Sequence, residues 1–170
     1  DRGRSWTSIA SDLPERDFVW AIQQDHVNPG LLFVGTEFGL YFTIDEGGSW
    51  HRLRSGLPTI AVRDLDIARD HNDLVLGTFG RSFYVLDDYS PLRELTPEGS
   101  GDQPKFYPIE DAMIYGRGSR LGGRGGKGSQ GAAFYTASNP DFGATFTYYL
   151  PEKYETRKEL RKKREREQGK

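Results

Sequence analysis

Thr43-Ile44-Asp45-Glu46-Gly47-Gly48-Ser49-Trp50 decides how this chain reads. As a spacing it is Thr-x-Asp-x-Gly-x-x-Trp, and each fixed position has a mechanical task. An aspartate accepts hydrogen bonds from backbone a few residues on and so sets a tight turn. Gly47 supplies positive φ without steric cost. Thr43 ends an incoming strand, and its hydroxyl bonds back to the turn. Trp50 opens the next strand and lays a large apolar surface over the corner. The octet therefore predicts a rigid hairpin stapled by an aromatic side chain.

The surrounding sequence repeats it. Asp1-Arg2-Gly3-Arg4-Ser5-Trp6 matches Asp45 to Trp50, and Trp6 through Leu13-Pro14 continues as Trp50 through Leu57-Pro58 does, at an offset of 44. Leu31 through Asp45 is answered by Asp73 through Asp87 at an offset of 42, with Gly35-Thr36 against Gly77-Thr78. Val19 through Ile22 is answered by Val62 through Leu65 at 43. A period just over forty residues with about four short strands per unit is the sequence pattern of propeller blades. In the third copy Asp87-Asp88-Tyr89-Ser90-Pro91 keeps neither the glycine nor the tryptophan.

Alternation and β-branched content place strands near 6–10, then at 18–24, 31–36, 40–44 and 50–54, then at 62–67, 74–78, 82–87 and 92–95. Residues 97–104 read as a linker, Phe106 to Tyr115 as one more strand, and Gly116 to Gly131 as a Gly/Arg/Ser-rich loop. Ala144 to Leu150 is a β-prone run that opens a new sheet. Tyr154 to Gln168 is helical and almost fully charged, with Glu159–Lys163 and Lys163–Glu167 spaced as i,i+4 pairs.

The octet resembles the Asp-box, the turn motif of β-propeller blades in sialidases, xyloglucanases and sortilin-type proteins. Residues 1–96 are similar to the last blades of a bacterial family related to the sortilin-type propeller, built on the bacterial neuraminidase repeat and often labelled "glycosyl hydrolase" by analogy. The resemblance implies an all-β fold. It is a partial β-propeller of two-plus four-stranded blades with Asp-box turns over 1–96, then a linker with a Gly/Arg-rich loop over 97–141. Residues 142–170 follow as the first strand of a β-sandwich, around Phe142 to Leu150, and a charged helical insertion. Two full blades do not close a ring, so the missing blades of the same protein are expected partners. The resemblance also implies a secreted, periplasmic or cell-surface location.

Composition agrees with a turn-rich β protein: 21 glycines, 13% aromatic residues, no cysteine. No apolar run reaches the roughly 20 residues of a membrane helix. The net charge of −2 divides unevenly. Residues 1–151 hold 14 basic and 20 acidic side chains, while 152–170 hold 9 and 5. A body at −6 offers no bulk field for nucleic acid.

Thr43, Asp45, Gly47 and Trp50, with Asp1, Gly3 and Trp6 in the first copy, are structural: the turn uses their side chains. In Asp-box families that turn lies away from the ligand, which puts the opposite loops at the functional mouth. These carry Glu37-Phe38 and Phe79-Gly80-Arg81, with 12–17 and 55–61 between blades. Glu37, Phe38, Phe79 and Arg81 are of the types that bind a carbohydrate or peptide; the alternative is that the two phenylalanines pack between blades. Glycoside hydrolysis needs two carboxylates roughly 5–10 Å apart, and Glu37, Asp64 and Asp66 are the candidates, none singled out as a pair. A sialidase-like site would use Arg63 and Arg81, without a visible triad. His26, His51 and His71 lack zinc spacing, and Asp70, Asn72 and Asp73 read as turn formers before calcium ligands. Gly126-Lys127 fails the phosphate-loop pattern, and the single Arg-Gly-Gly at 124–126 reads as loop. No cofactor or metal is expected. The reading that follows is a binding propeller for a polysaccharide, peptide or protein. A hydrolase completed by residues elsewhere and an assembly scaffold are the alternatives.

Overall fold

The computed structural model describes residues 2–54, 56–96, 101–112, 114 and 142–169. The chain forms two compact units, one of residues 1–107 and 148–170, the other of residues 108–147. Asp1, the Gly/Arg-rich loop and the 124–127 stretch lie outside the described residues.

The first unit is built of antiparallel sheets. β1 (Val19–Gln24), β2 (Leu32–Thr36), β3 (Gly39–Thr43) and β4 (His51–Leu53) form a four-stranded meander in that order. β5 (Val62–Ala68), β6 (Asp73–Thr78) and β7 (Phe83–Leu86) form a second sheet of three. Seven strands therefore fall where alternation predicts them. Both sheets carry the same irregularity in the first strand pair, between Val19 and Ala21 and between Val62 and Asp64.

The sheets share one core. Leu31, Phe33 and Leu40 from the first meet Val62, Leu65, Leu74 and Leu76 from the second, and Tyr89 closes the cluster. Gly35 lets the backbones approach: a Cβ there would stand 2.6 Å from the Val62 carbonyl oxygen. A second cluster joins Leu32, Val34, Tyr41 and Trp50 to Leu13. Burial of such side chains contributes about 1.5–3 kcal/mol each and is the main force holding the sheets together.

Four expected strands come out differently. Residues 6–10 are not in a strand; the segment is instead tied by Ile9 and Ser11 to the turn at 47–50. Residues 92–95 do not add a fourth strand to the second sheet. Ser90–Glu94 is a 3₁₀ helix with Pro91 at its start, because proline fixes φ and has no N–H for a ladder, and because Arg93 is drawn inward to Asp25. Of the two later runs, only Lys105–Phe106 (β8) and Tyr148–Tyr149 (β9) are strands among the described residues. They pair with each other rather than opening a larger sheet, with the Phe106 and Tyr148 rings 5.9 Å apart.

The charged tail forms α1 (Arg157–Glu167), with no buried residue. Thr156 and Glu159 make a reciprocal capping box: the Glu159 N–H donates to the Thr156 hydroxyl, and the Thr156 N–H donates to the Glu159 carboxylate. Glu159 is thereby withdrawn from the expected pair with Lys163, which faces Glu155 at 3.5 Å instead. The i,i+4 pair present is Arg161–Glu165 at 3.4 Å. Among the described residues no helix is long and apolar enough to cross a membrane.

Candidate functional site

The turn after β3 uses its side chains as the octet predicts. The Thr43 hydroxyl donates to Asp45 Oδ1 at 2.6 Å and accepts from the Gly47 N–H at 3.0 Å. The Ser49 N–H and hydroxyl donate to the two Asp45 oxygens, each at 2.9 Å. The Thr43 hydroxyl first, then the Ser49 N–H, hold the Asp45 carboxyl down at about 2 against a burial effect in the other direction. Glu46 and Gly47 both take positive φ, 58° and 93°. A Cβ on Gly47 would meet Ile9 at 2.7 Å, so only glycine fits that corner. Trp50 is buried, its indole N–H donating to the Ile9 carbonyl and its backbone N–H to Asp12, both at 2.8 Å. Asp12, expected at the mouth, is therefore against this turn. In the first copy Arg2 and Gly3 repeat the corner with φ of 60° and 79°. Trp6 lies over Gly3, 90% exposed.

At the other ends of the strands a different cluster gathers. The Glu37 N–H donates to the Phe18 carbonyl, and the Phe79 N–H donates to the Ala61 carbonyl, so each β2–β3-type loop is tied to the segment entering its own sheet. That places Glu37 beside Trp20 and Phe79 beside Arg63. The Trp20 indole N–H donates to Glu37 Oε2 at 2.8 Å. Arg63 approaches the same oxygen at 3.6 Å. Its guanidinium lies 3.7 Å from the Trp20 ring centre and 5.0 Å from that of Phe79, within cation–π range of both. The result is an exposed plate of two aromatics bridged by a cation and squared by a carboxylate. Phe18, next to it in sequence, is 69% exposed. In Asp17, Oδ2 is buried with no hydrogen-bond partner, while Oδ1 accepts from the Phe18 N–H.

Of the four residues expected at the mouth, Glu37 and Phe79 are brought together through Arg63. Phe38 and Phe79 are exposed, 49% and 69%, rather than packed in the core. The Phe38 carbonyl accepts from Arg52. Arg81 is exposed on the β6–β7 loop. Asp64 and Asp66 each accept from the next residue's N–H, which occupies them locally. Trp20 is the residue that sequence reasoning passed over. Its signal was present: it holds in β1 the place that Arg63 holds in β5, 43 residues on.

A second polar cluster is interior. Asp25, at the β1–β2 turn, is 4% exposed and accepts from Arg93, from the Tyr89 hydroxyl at 2.6 Å and from the Val27 and Asn28 N–H groups. Burial pushes its carboxyl up, but Arg93 and Tyr89 together outweigh that and hold it well below the usual range. Burial, then Asp25, pushes the Tyr89 phenol far above its ordinary value. Arg93 also donates to Asn72 at 2.7 Å, and Asp73 accepts from the Asp88 N–H. The loop weighed for calcium thus spends these oxygens on the fold. Among the described residues no group of three or more His, Asp or Glu side chains is arranged to hold a metal ion. This cluster is fully committed to binding one part of the chain to another.

Comparison with protein-family models, with curated proteins and with solved structures finds no match for the chain.

Proposed function

We propose that this chain is a run of Asp-box β-propeller repeats from a secreted or cell-surface protein. In this reading each sheet is a blade, further blades complete the ring, and the module binds a ligand at the mouth without transforming it. The ligand class that fits best is a polysaccharide, with an extended peptide as the second arm of the test. The observation that carries the reading is the Trp20–Arg63–Phe79–Glu37 plate. It offers exposed aromatic faces, a fixed cation and a carboxylate at one surface, on the side away from the stapled turn. Sugar rings stack on such faces through their C–H groups, while hydroxyls take the charged edge. The sequence repeats support the propeller reading, as does the four-stranded meander that the 42–44-residue period describes.

The test is a titration of the chain against a panel of soluble polysaccharides and, separately, of extended peptides. Trp20→Ala and Phe79→Ala should each weaken carbohydrate binding by about tenfold, roughly 1.4 kcal/mol, with the sheets intact by circular dichroism. Binding that both variants leave unchanged would remove the plate from consideration. Release of reducing sugar from the panel would replace the binding reading with a hydrolytic one.

A further inference from the structure

Among the described residues the second sheet has no strand at the place of β4 in the first, and the open place has a defined shape. In the first sheet, Trp50 leads β4 and sits against Leu13, Val34 and Tyr41, with its indole on the Ile9 carbonyl. Every one of those positions has a counterpart. The 44-residue register takes Ile9 to Leu53 and Leu13 to Leu57. Strand pairing takes the others: Val34 faces Tyr41 across β2–β3, and Leu76 faces Tyr84 across β6–β7. Leu53, Leu57, Leu76 and Tyr84, joined by Leu40 and Leu86, line one open groove. The walls of the tryptophan pocket are thus repeated, and the tryptophan is not. The chain's own residue at the Trp50 place, counted at the offset of 43 that takes Tyr41 to Tyr84, is Arg93, which is turned away into the Asp25 cluster.

Beside the groove runs an unused edge. Among the described residues β7 pairs only with β6. Phe83 and Val85 on it are 69% and 45% exposed. β7 contains no charge, no proline and no bulge, the devices that ordinarily protect an edge. We infer that β7 and this groove form an acceptor site for one extended strand led by tryptophan, of the Ser-Trp-x-x-Leu type that residues 49–53 supply to β3. The strand adds to β7 by backbone hydrogen bonds, and its indole fills the groove between Leu57, Leu76 and Tyr84. This is strand addition with a single side-chain anchor. Trp20 and Arg63 take no part in it, so it stands or falls apart from the carbohydrate reading.

The probe is a synthetic peptide of residues 48–54, Gly-Ser-Trp-His-Arg-Leu-Arg, titrated into the isotope-labelled 170-residue chain. Saturable shifts confined to 83–86 and the groove residues are expected, with new hydrogen-exchange protection of the β7 amides. The same peptide carrying Trp50→Ala should bind at least about tenfold more weakly, the loss of one aromatic anchor. The host variant Leu57→Arg should lose binding while keeping its amide spectrum elsewhere; exchange protection in the unaltered chain decides the matter if that variant fails to fold. Absence of saturable binding, equal affinity for the alanine peptide, or β7 amides already protected by self-association of the chain would each overturn the assignment.

Discussion

Arg93 holds Asp25 with a two-pronged grip, Nε to Oδ2 at 2.9 Å and Nη2 to Oδ1 at 2.7 Å, across 68 residues of sequence. The Asp25 side chain is fully buried and that of Arg93 is 16% exposed. The pair ties the β1–β2 turn of the first sheet to the 3₁₀ helix that follows the second. Removing one partner strands a charge in the interior. Asp25→Asn should therefore cost about 3–5 kcal/mol in urea unfolding. Arg93→Met added to Asp25→Asn should recover part of that loss, because the orphaned cation goes with it. A double variant worse than the single one by the full cost of Arg93→Met alone would mean the two residues act independently.

Gly35 and Gly77 occupy the same place in successive repeats but meet different neighbours. At Gly35 an added Cβ falls 2.6 Å from a backbone oxygen, that of Val62. At Gly77 the nearest atom is the Asp64 Cβ at 3.2 Å. Backbone in a shared core does not give way cheaply. Gly35→Ala should destabilise by about 1–3 kcal/mol, the usual penalty for overpacking. Gly77→Ala should cost less, because the nearest atom there is a side-chain carbon at a distance that a small shift relieves. Thermal unfolding of the two variants side by side checks the order.

The seven strands of the first two sheets were legible because alternation and turn chemistry agreed at each of them. Where they failed, long-range contacts had the deciding vote. Pro91 is a local sign against a strand at 92–95, but nothing local announces that Asp25 will draw Arg93 inward. The register of the third turn was misread by one residue for a similar reason. Phe33 pairs with Phe42, but Val75 pairs with Val85. The β6–β7 loop thus holds one residue more than its counterpart, and Asp88, not Asp87, stands at the Asp45 place. Of the residues expected at a mouth, Glu37 and Phe79 could be chosen from loop position and residue type. Trp20 could not be chosen that way, since an aromatic in a strand reads first as core. The available signal was its counterpart in the next repeat, Arg63, whose charge marks that strand position as outward-facing.

The Thr43 hydroxyl donates one hydrogen bond and accepts two, from the N–H groups of Gly47 and Asp45, while the side chain is fully buried. Thr43→Val keeps the shape and deletes all three. It leaves the Gly47 N–H unpaired in the interior, at a cost of about 1–3 kcal/mol. Thr43→Ser restores the hydroxyl and gives up only a methyl, about 0.8 kcal/mol. Serine should therefore stand closer to the parent than valine does. The reverse order in chemical denaturation would show that methyl packing, rather than the hydroxyl, fixes this turn.

Two buried or turn-bound carboxylates give the stability a defined dependence on acid. Asp45 titrates at about 2 in the folded chain against an ordinary 3.8, and Asp25 is lowered further by Arg93 and Tyr89 despite its burial. A carboxyl depressed on folding binds its proton more readily in the unfolded chain. Its contribution is complete above the unfolded value and disappears as pH falls through the folded one. The urea midpoint should therefore be flat, as far as these two groups decide it, from pH 7 to near pH 5. It should then fall steadily from about pH 4 to pH 2. Asp45→Asn removes one of the two titrations, so its own curve should start lower at neutral pH and fall less steeply between pH 4 and pH 2. A parent and variant that lose stability in parallel over that interval would show that the Thr43 and Ser49 hydrogen bonds do not discriminate between the ionised and protonated carboxyl. The turn would then owe its rigidity to Gly47 and Trp50 instead.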